Sequence, residues 1–241
     1  MSIAATVKQT IDRIPPGKIF GYEVFDDYPS APEAVVQAVR RCVLEQRVKR
    51  VAKGRFYTPK RGMLGAMGVS DDELLRDVLF RKGQRRGYIT GSALYNRMGL
   101  TTQVPKTIAV AANRTAQTKD FGTIRIKFVP RRAPITEANV PLLELLDVLR
   151  DAKSVPDAKV DNVIEIIARR IAALTRPTIK KLQKLAVDYY NASTRALLGA
   201  ILDRLDLPVL AALRASINPT TRFELGLDPM AWPQAHAWNI R

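Results

Sequence analysis

The chain has little of what most enzyme chemistry uses. Among 241 residues there is one cysteine, Cys42, and one histidine, His236. A single thiol excludes an intramolecular disulfide and a multi-cysteine zinc site, and fits a reducing compartment. A Ser-His-Asp or Cys-His device would have to use His236, which lies in the C-terminal tail with no nucleophile motif beside it. The phosphate loop GxxxxGK[ST], a GxGxxG after a strand and HExxH are all missing. No apolar run approaches the length of a membrane span. Ser2 to Arg13 alternates polar and apolar groups where a signal peptide would need an apolar centre. The expectation is a soluble, cytoplasmic protein with no membrane partner, no cofactor, no metal and no catalytic residues.

Acids are scarce too. Lys and Arg number 39 against 23 Asp and Glu, a net charge of +16. Residues 1–62 carry 12 basic and 6 acidic side chains, a net +6; residues 63–136 carry 13 and 5, a net +8; residues 137–241 carry 14 and 12, a net +2. A surplus concentrated in this way favours nucleic acid or another polyanion as partner. At 46% hydrophobic residues the chain can bury a core, and its length suits one large domain or two or three small ones.

The densest basic stretch is Ser30 to Arg61, with nine Lys or Arg against Glu33 and Glu45. Ser30-x-x-Glu33 reads as a capping box. It opens a helix to about Gln46 with Ala31, Val35, Ala38, Val39 and Cys42 on its inner stripe. Ahead of it lie a helix over Ser2–Ile14, stopped by Pro15-Pro16-Gly17, a short strand at Ile19-Phe20 and a brief helix over Tyr22–Phe25. Behind it, Val48–Val51 and Arg55–Thr58 flank Ala52-Lys53-Gly54 as a basic hairpin that Pro59 ends. Helix, strand, helix, helix, hairpin is the order of a winged helix-turn-helix over residues 1–62. In that reading Glu33, Val36, Gln37 and Arg40 face the major groove. Gln pairs with adenine, Arg with guanine, and Val36 touches a thymine methyl or simply packs on the first helix. Ser30, Arg41, Lys49, Arg50, Lys53 and Arg55 fall to phosphates or to the wing, giving affinity with little sequence information.

Residues 63–136 read as mixed α and β. A glycine-rich linker over Lys60–Val69 leads to a second capping box, Ser70-x-x-Glu73, and a helix to Phe80 or Arg81. The acids Asp71, Asp72 and Glu73 read as metal ligands or as complements of the helix dipole. After the basic loop Arg81–Gly87 come a strand at Tyr88-Ile89, a helix over Ser92–Met98 stopped by Gly99, and strands over Thr107–Ala112 and Thr123–Val129. Arg81, Lys82, Arg85, Arg86, Arg131 and Arg132 extend the positive surface toward DNA, an acidic protein or RNA. Residues 137–241 are helical: Asn139 caps a helix to Arg150, and Asp161–Leu174, Thr178–Tyr190, Ser193–Leu205 and Pro208–Ile217 follow. The tail Phe223–Arg241 holds Trp232 and Trp238, which suggests docking onto the body or onto a partner. The fold class is therefore α+β: a winged helix-turn-helix, a mixed α/β region and a helical C-terminal region.

Gly87-Tyr88-Ile89-Thr90-Gly91-Ser92-Ala93-Leu94-Tyr95, followed by Met98-Gly99-Leu100-Thr101-Thr102-Gln103-Val104-Pro105, resembles the AbiEi-like antitoxins of type IV toxin–antitoxin systems. Arg47-Val48-Lys49-Arg50-Val51 with Gly54-Arg55-Phe56-Tyr57 resembles that family's basic wing, and Ser193–Ala200 and Trp238–Arg241 resemble two later segments. The second region and the helical C-terminus are longer and more helical than in its shorter members. The resemblance implies an autorepressor that binds inverted repeats in its own promoter as double-stranded DNA. It also implies action, direct or indirect, against a nucleotidyltransferase-like toxin, and no enzymatic activity. Two-fold operator half-sites would suit a homodimer. Without the family, Leu100–Pro105 reads as a structural corner between helix and strand. Two other classes remain: a nucleic-acid-processing enzyme targeted by its winged helix, for which residues 63–241 offer no nameable site, and an RNA-binding factor, for which the basic hairpin offers only Phe56 and Tyr57 as stacking aromatics.

Overall fold

The computed structural model describes residues 2–63 and 65–241. The fold is α+β, and the chain divides into two units, Met1–Gln84 and Arg85–Arg241. In the first, Ser2 opens helix α1 (Ile3–Arg13), its Oγ accepting from the Ala5 amide at 3.4 Å. Val7 and Ile11 are the buried residues of α1. The chain turns through Gly17, at φ +84°, into strand β1 (Ile19–Gly21). Tyr22–Val24 is a single 3-10 turn where the sequence predicts a brief helix.

Helix α2 (Pro32–Leu44) starts differently from the expected capping box. Proline favours the first helical position, so Pro32 makes Ala31 the cap and moves Glu33 out of the position a box requires. Ser30 donates its hydroxyl to the Asp27 carbonyl instead, at 3.1 Å. Strands β2 (Lys49–Ala52) and β3 (Arg55–Tyr57) are antiparallel, with a bulge between Arg50 and Ala52. With β1 they form a sheet of order β1-β3-β2. Val7, Ile11, Phe20, Phe25, Val35, Val39, Cys42 and Phe56 fill the core between helices and sheet.

The expected linker contains two strands, β4 (Lys60–Gly62) and β5 (Gly65–Met67), paired antiparallel; Leu64 lies outside the described residues. In α3 (Asp71–Leu79), Ser70 accepts from the Glu73 amide at 3.3 Å as predicted. The Glu73 carboxylate does not return to the cap. It accepts from the Ile19 amide at 2.7 Å and ties α3 to β1. That tie carries the first unit past the predicted boundary at residue 62. The predicted loop after α3 holds two two-residue strands, β6 (Phe80–Arg81) and β7 (Gln84–Arg85). Lys82 and Gly83 between them are both at positive φ.

The second unit has β8 (Gly87–Thr90), α4 (Ser92–Arg97), β9 (Thr107–Ala112), β10 (Gln117–Asp120) and β11 (Arg125–Pro130). Their order is β10-β11-β9-β8, with β9 and β11 parallel and the other pairs antiparallel. Helices α5 (Val140–Arg150), α6 (Val160–Ala172), α7 (Arg176–Tyr189), α8 (Ala192–Arg204) and α9 (Ala211–Ala215) follow. Asn139 stands at the N-cap of α5 as expected, but its side chain makes no cap hydrogen bond; its side-chain amide donates to the Pro134 carbonyl at 2.8 Å. The predicted division at residue 136 disappears, because Tyr88, Leu94, Tyr95 and Leu100 share one apolar core with α5 to α8. Among the described residues no helix is long and apolar enough to cross a membrane.

The tail docks on the body of its own unit. Trp232 and Trp238 are each 1% exposed. Arg204 stacks on Trp232 at 4.0 Å and Arg214 on Trp238 at 3.7 Å, and the Trp238 indole donates to Asp203 at 2.7 Å. The Trp238 ring occupies the space where a side chain at Gly199 would begin. Gly199→Ala is therefore expected to lower unfolding stability by about 1–3 kcal/mol. Tryptophan emission should shift to the red under native conditions. Denaturant melts read by fluorescence check both.

Candidate nucleic-acid interface

Helix α2 turns Val35, Ala38, Val39 and Cys42 inward. Its outer face is then set by the helical repeat. Glu33, Gln37, Arg40 and Leu44 follow at steps of four, three and four residues, all exposed, with Arg41 beside them. Val36 is half-buried and lies outside the core cluster. The side chains of Glu33, Gln37, Arg40 and Arg41 form no hydrogen bond or ion pair with a described residue, and neither do Lys49 and Lys53. Arg50 is exposed and donates from Nε to the Ala52 carbonyl at 3.2 Å, curling over the bulge. Gly54 supplies the positive φ that the turn needs, +69°. From Gln46 to Ser70 the chain has seven cations and no acid.

Arg55 has another task. Its guanidinium pairs with Glu23 and with Asp77, joining the 3-10 turn and α3 to β3, and its side chain is 22% exposed. Two carboxylates already neutralise it, so it leaves the set of phosphate ligands. Burial pushes the Glu23 carboxyl up, but its own backbone amide and Arg55 outweigh burial and hold it below its ordinary value. Glu73 is likewise lowered: Arg76 and the Ile19 amide overcome its burial. A cleft of about 430 Å³ opens here, with Lys18, Glu23, Arg55, Arg76, Asp77 and Phe80 in its walls. Most of its charged groups pair with one another or, for Arg76, with Glu73. Asp71 and Asp72 are exposed in the first turn of α3, and among the described residues no group of three His, Cys, Asp or Glu could hold a metal.

The remaining basic residues divide in the same way. Arg81, Lys82, Arg86 and Arg132 are exposed. Arg85 pairs with Glu137 at 2.9 Å. Arg131 turns inward, its side chain 15% exposed, and reaches the fully buried Asp147 at 3.3 Å; it does not belong to the outer basic surface. Asp147 went unnoticed in the sequence, although Glu144 is the only other charge in the apolar run Val140–Leu149. It accepts from Tyr88 at 3.0 Å, Thr90 at 2.6 Å, Arg150 at 2.9 Å and Tyr190 at 2.8 Å. Tyr95 and Arg150 meet at Asp151, at 2.8 and 2.6 Å. Burial, reinforced by the carboxylate charge, pushes the Tyr88, Tyr95 and Tyr190 hydroxyls far up.

The wording at 87–105 thus has an internal explanation. Tyr88 and Thr90 are donors to the buried Asp147, and Tyr95 to the half-buried Asp151. Gly91 stands at φ +64°, and a Cβ on Gly87 would meet the Ala111 carbonyl at 2.9 Å. Gln103 donates to Asp157 at 2.7 Å and Asn96 to the Thr101 carbonyl at 3.2 Å. Val104 is the segment's large apolar side chain left in solvent, 83% exposed.

Together these features define a two-unit α+β protein whose first unit carries exposed cations without internal ion pairs on α2, on β2 and on the β2–β3 turn. A family model described as a family of unknown function, DUF6088, matches residues 6–181. The chain belongs to this family. Among solved structures it is similar to the crystal structure of the RV2827C protein from Mycobacterium tuberculosis, with 16% identity over 92% of this chain and 83% of that one and a TM-score of 0.48. No curated protein matches it.

Two substitutions probe these charges. A carboxyl held below its unfolded value stabilises the fold above that value and loses the contribution as pH falls through the folded one. Glu23→Gln should therefore cost about 1 kcal/mol at pH 7, and its difference from the parent should close on acidification below the ordinary 4.5. Urea melts across pH measure this. Asp147→Ala leaves the half-buried Arg131 without its carboxylate, leaves Arg150 only Asp151, and should cost about 3–5 kcal/mol, read in the same melts at pH 7.

Proposed function

We propose that residues 1–62 are a winged helix-turn-helix that binds double-stranded DNA, with α2 as the reading helix and the β2–β3 turn as the wing. The observation that carries this reading is the solvent-facing row Glu33, Gln37, Arg40 and Arg41 on α2, continued by Lys49, Arg50 and Lys53 with no acid among the residues that follow to Ser70. The element order α1, β1, 3-10 turn, α2, β2, β3 and the sheet order β1-β3-β2 support it. Gln37 and Arg40 have the donor patterns that read adenine and guanine. Lys49, Arg50 and Lys53 replace condensed counterions on phosphates. Arg55 and Ser30 have no part in the contact.

The resemblance to AbiEi-like antitoxins extends the proposal to an autorepressor of its own operon that acts in the cytoplasm against a nucleotidyltransferase-like toxin, by binding and not by catalysis. The antitoxin surface is sought among exposed groups such as Arg86, Arg132 and Val104, because Tyr88, Thr90, Tyr95 and Arg131 are occupied in the interior. Co-expression with the toxin gene tests that half: restored growth supports it, and unrelieved toxicity overturns it while leaving DNA binding standing.

Gel-shift titration against the fragment upstream of its own gene, with a scrambled control, tests the DNA half. Tighter binding to the upstream fragment is expected, and equal affinity for both would sink sequence-specific repression. Replacing Lys49, Arg50 and Lys53 by Ala should weaken both complexes alike and reduce the salt slope by about 3. Gln37→Ala and Arg40→Ala should cost about 1–3 kcal/mol of discrimination each at the bases they face.

A further inference from the structure

The β4–β5 ribbon is used by nothing described above. Every described residue from Lys60 to Gly68 is exposed, and the two strands pair only with each other. Met63 at its end is 106% exposed and Met67 55%. A lone two-stranded hairpin is marginal in water, and a methionine held wholly in solvent forgoes the burial that would stabilise it. Gly62, Gly65, Ala66 and Gly68 add little bulk between its four large described side chains, Lys60, Arg61, Met63 and Met67. Its only charges are Lys60 and Arg61, both positive. Lys60 lies opposite Met67 and Arg61 opposite Ala66, so successive cations point to opposite faces. Its base is seated: the Lys60 stem lies against Gly17, 2.8 Å from where a Cβ would stand. The Lys53-Gly54 turn precedes β3 and the ribbon follows it, so the two leave opposite ends of that strand.

We propose that the β4–β5 ribbon is a second DNA contact. It enters the minor groove beside the major-groove face that α2 reads, with Lys60 and Arg61 toward phosphates and Met63 pressed between two base pairs. This rests on the reading of the first unit as a DNA-binding domain. The minor groove is about 6 Å wide and strands pair about 4.8 Å apart, so the ribbon enters only where the groove is opened, which is what an inserted apolar wedge does. Apolar wedges, methionine among them, unstack a base step there and kink the duplex by about 20–90°. No acid lies between Gln46 and Ser70 to oppose Lys60 and Arg61, so the base of the ribbon is complementary to phosphate.

Gel shifts with circularly permuted upstream fragments measure the bend, and salt titrations measure the phosphates. The parent protein is expected to bend the fragment by about 20–90°. Met63→Ala should retain binding with much of the bend lost. Lys60→Ala with Arg61→Ala should lower the salt slope by about 2. Lys49→Ala with Arg50→Ala is the companion: affinity falls and the bend of the residual complex stays. Binding without a bend, or a bend and salt slope that the ribbon variants leave unchanged, overturns the ribbon contact alone. Failure of the parent to bind any duplex overturns it together with the DNA-binding reading. Loss of a dimer by Met63→Ala in sedimentation without DNA would give the ribbon to self-association and overturn it as well. The substituted side chains are exposed, and unchanged melts are expected to show that each variant folds.

Discussion

A carboxylate with no access to water has to find its hydrogen-bond donors inside the protein, and the second unit is arranged around that requirement at Asp147. Its donors come from β8, from the segment after β11, from the last turn of its own helix and from the residue that ends α7. Each must be held in place for the charge to be tolerated, and removing any one leaves the others facing an under-compensated acid. This ties sheet to helices across almost 60 residues of chain, from Tyr88 to Asp147. It also explains why a short motif with two tyrosines, a threonine and two constrained glycines belongs at 87–95: those residues build the donors and the turn that delivers them.

The first unit solves a smaller version of the problem with the sign reversed. Arg55 is the partly buried cation, and Glu23 and Asp77 close around it. Its neighbours in sequence, Arg50 and Lys53, are left to solvent. Adjacent basic residues in one hairpin thus serve different ends, and net charge says nothing about which is which. What matters for a polyanion is the set of cations without internal partners. In the first unit that set includes the outer face of α2, β2 and its turn, and the ribbon that follows. In the second unit Arg85 is spent on Glu137, Arg131 on Asp147, and Arg150 on Asp147 and Asp151.

Periodicity made the helices legible. α1, α2, α6 and α7 fall within a few residues of where their apolar repeats place them, because each needs only one stripe to be buried. Errors came where a single residue overrode the pattern or where the partner lay far away. Pro32 shifted the start of α2 by its own preference for the first turn. Strand β10, Gln-Thr-Lys-Asp, has no apolar alternation and is a strand only because β11 offers it an edge. The glycines of 62–68 read as a linker, yet the same small residues pair as a ribbon. The three-part division failed for a related reason: composition changes at 62 and 136, but Glu73 reaches back to β1 and Tyr88 reaches forward to α5.

The amino-acid sequence by itself determined the charge, its concentration in the first 136 residues, the α+β class and the inner and outer faces of α2. All of these follow from composition or from spacings of a few residues. Only the tertiary structure decided which cations are free, where the tryptophan tail lies and what the 87–105 wording does. Those outcomes depend on partners tens of residues away, and a local pattern holds no record of the distance between Arg55 and Asp77 or between Arg131 and Asp147. Burial then raises the energetic stakes of each pairing, so the fold assigns the charges before any ligand can.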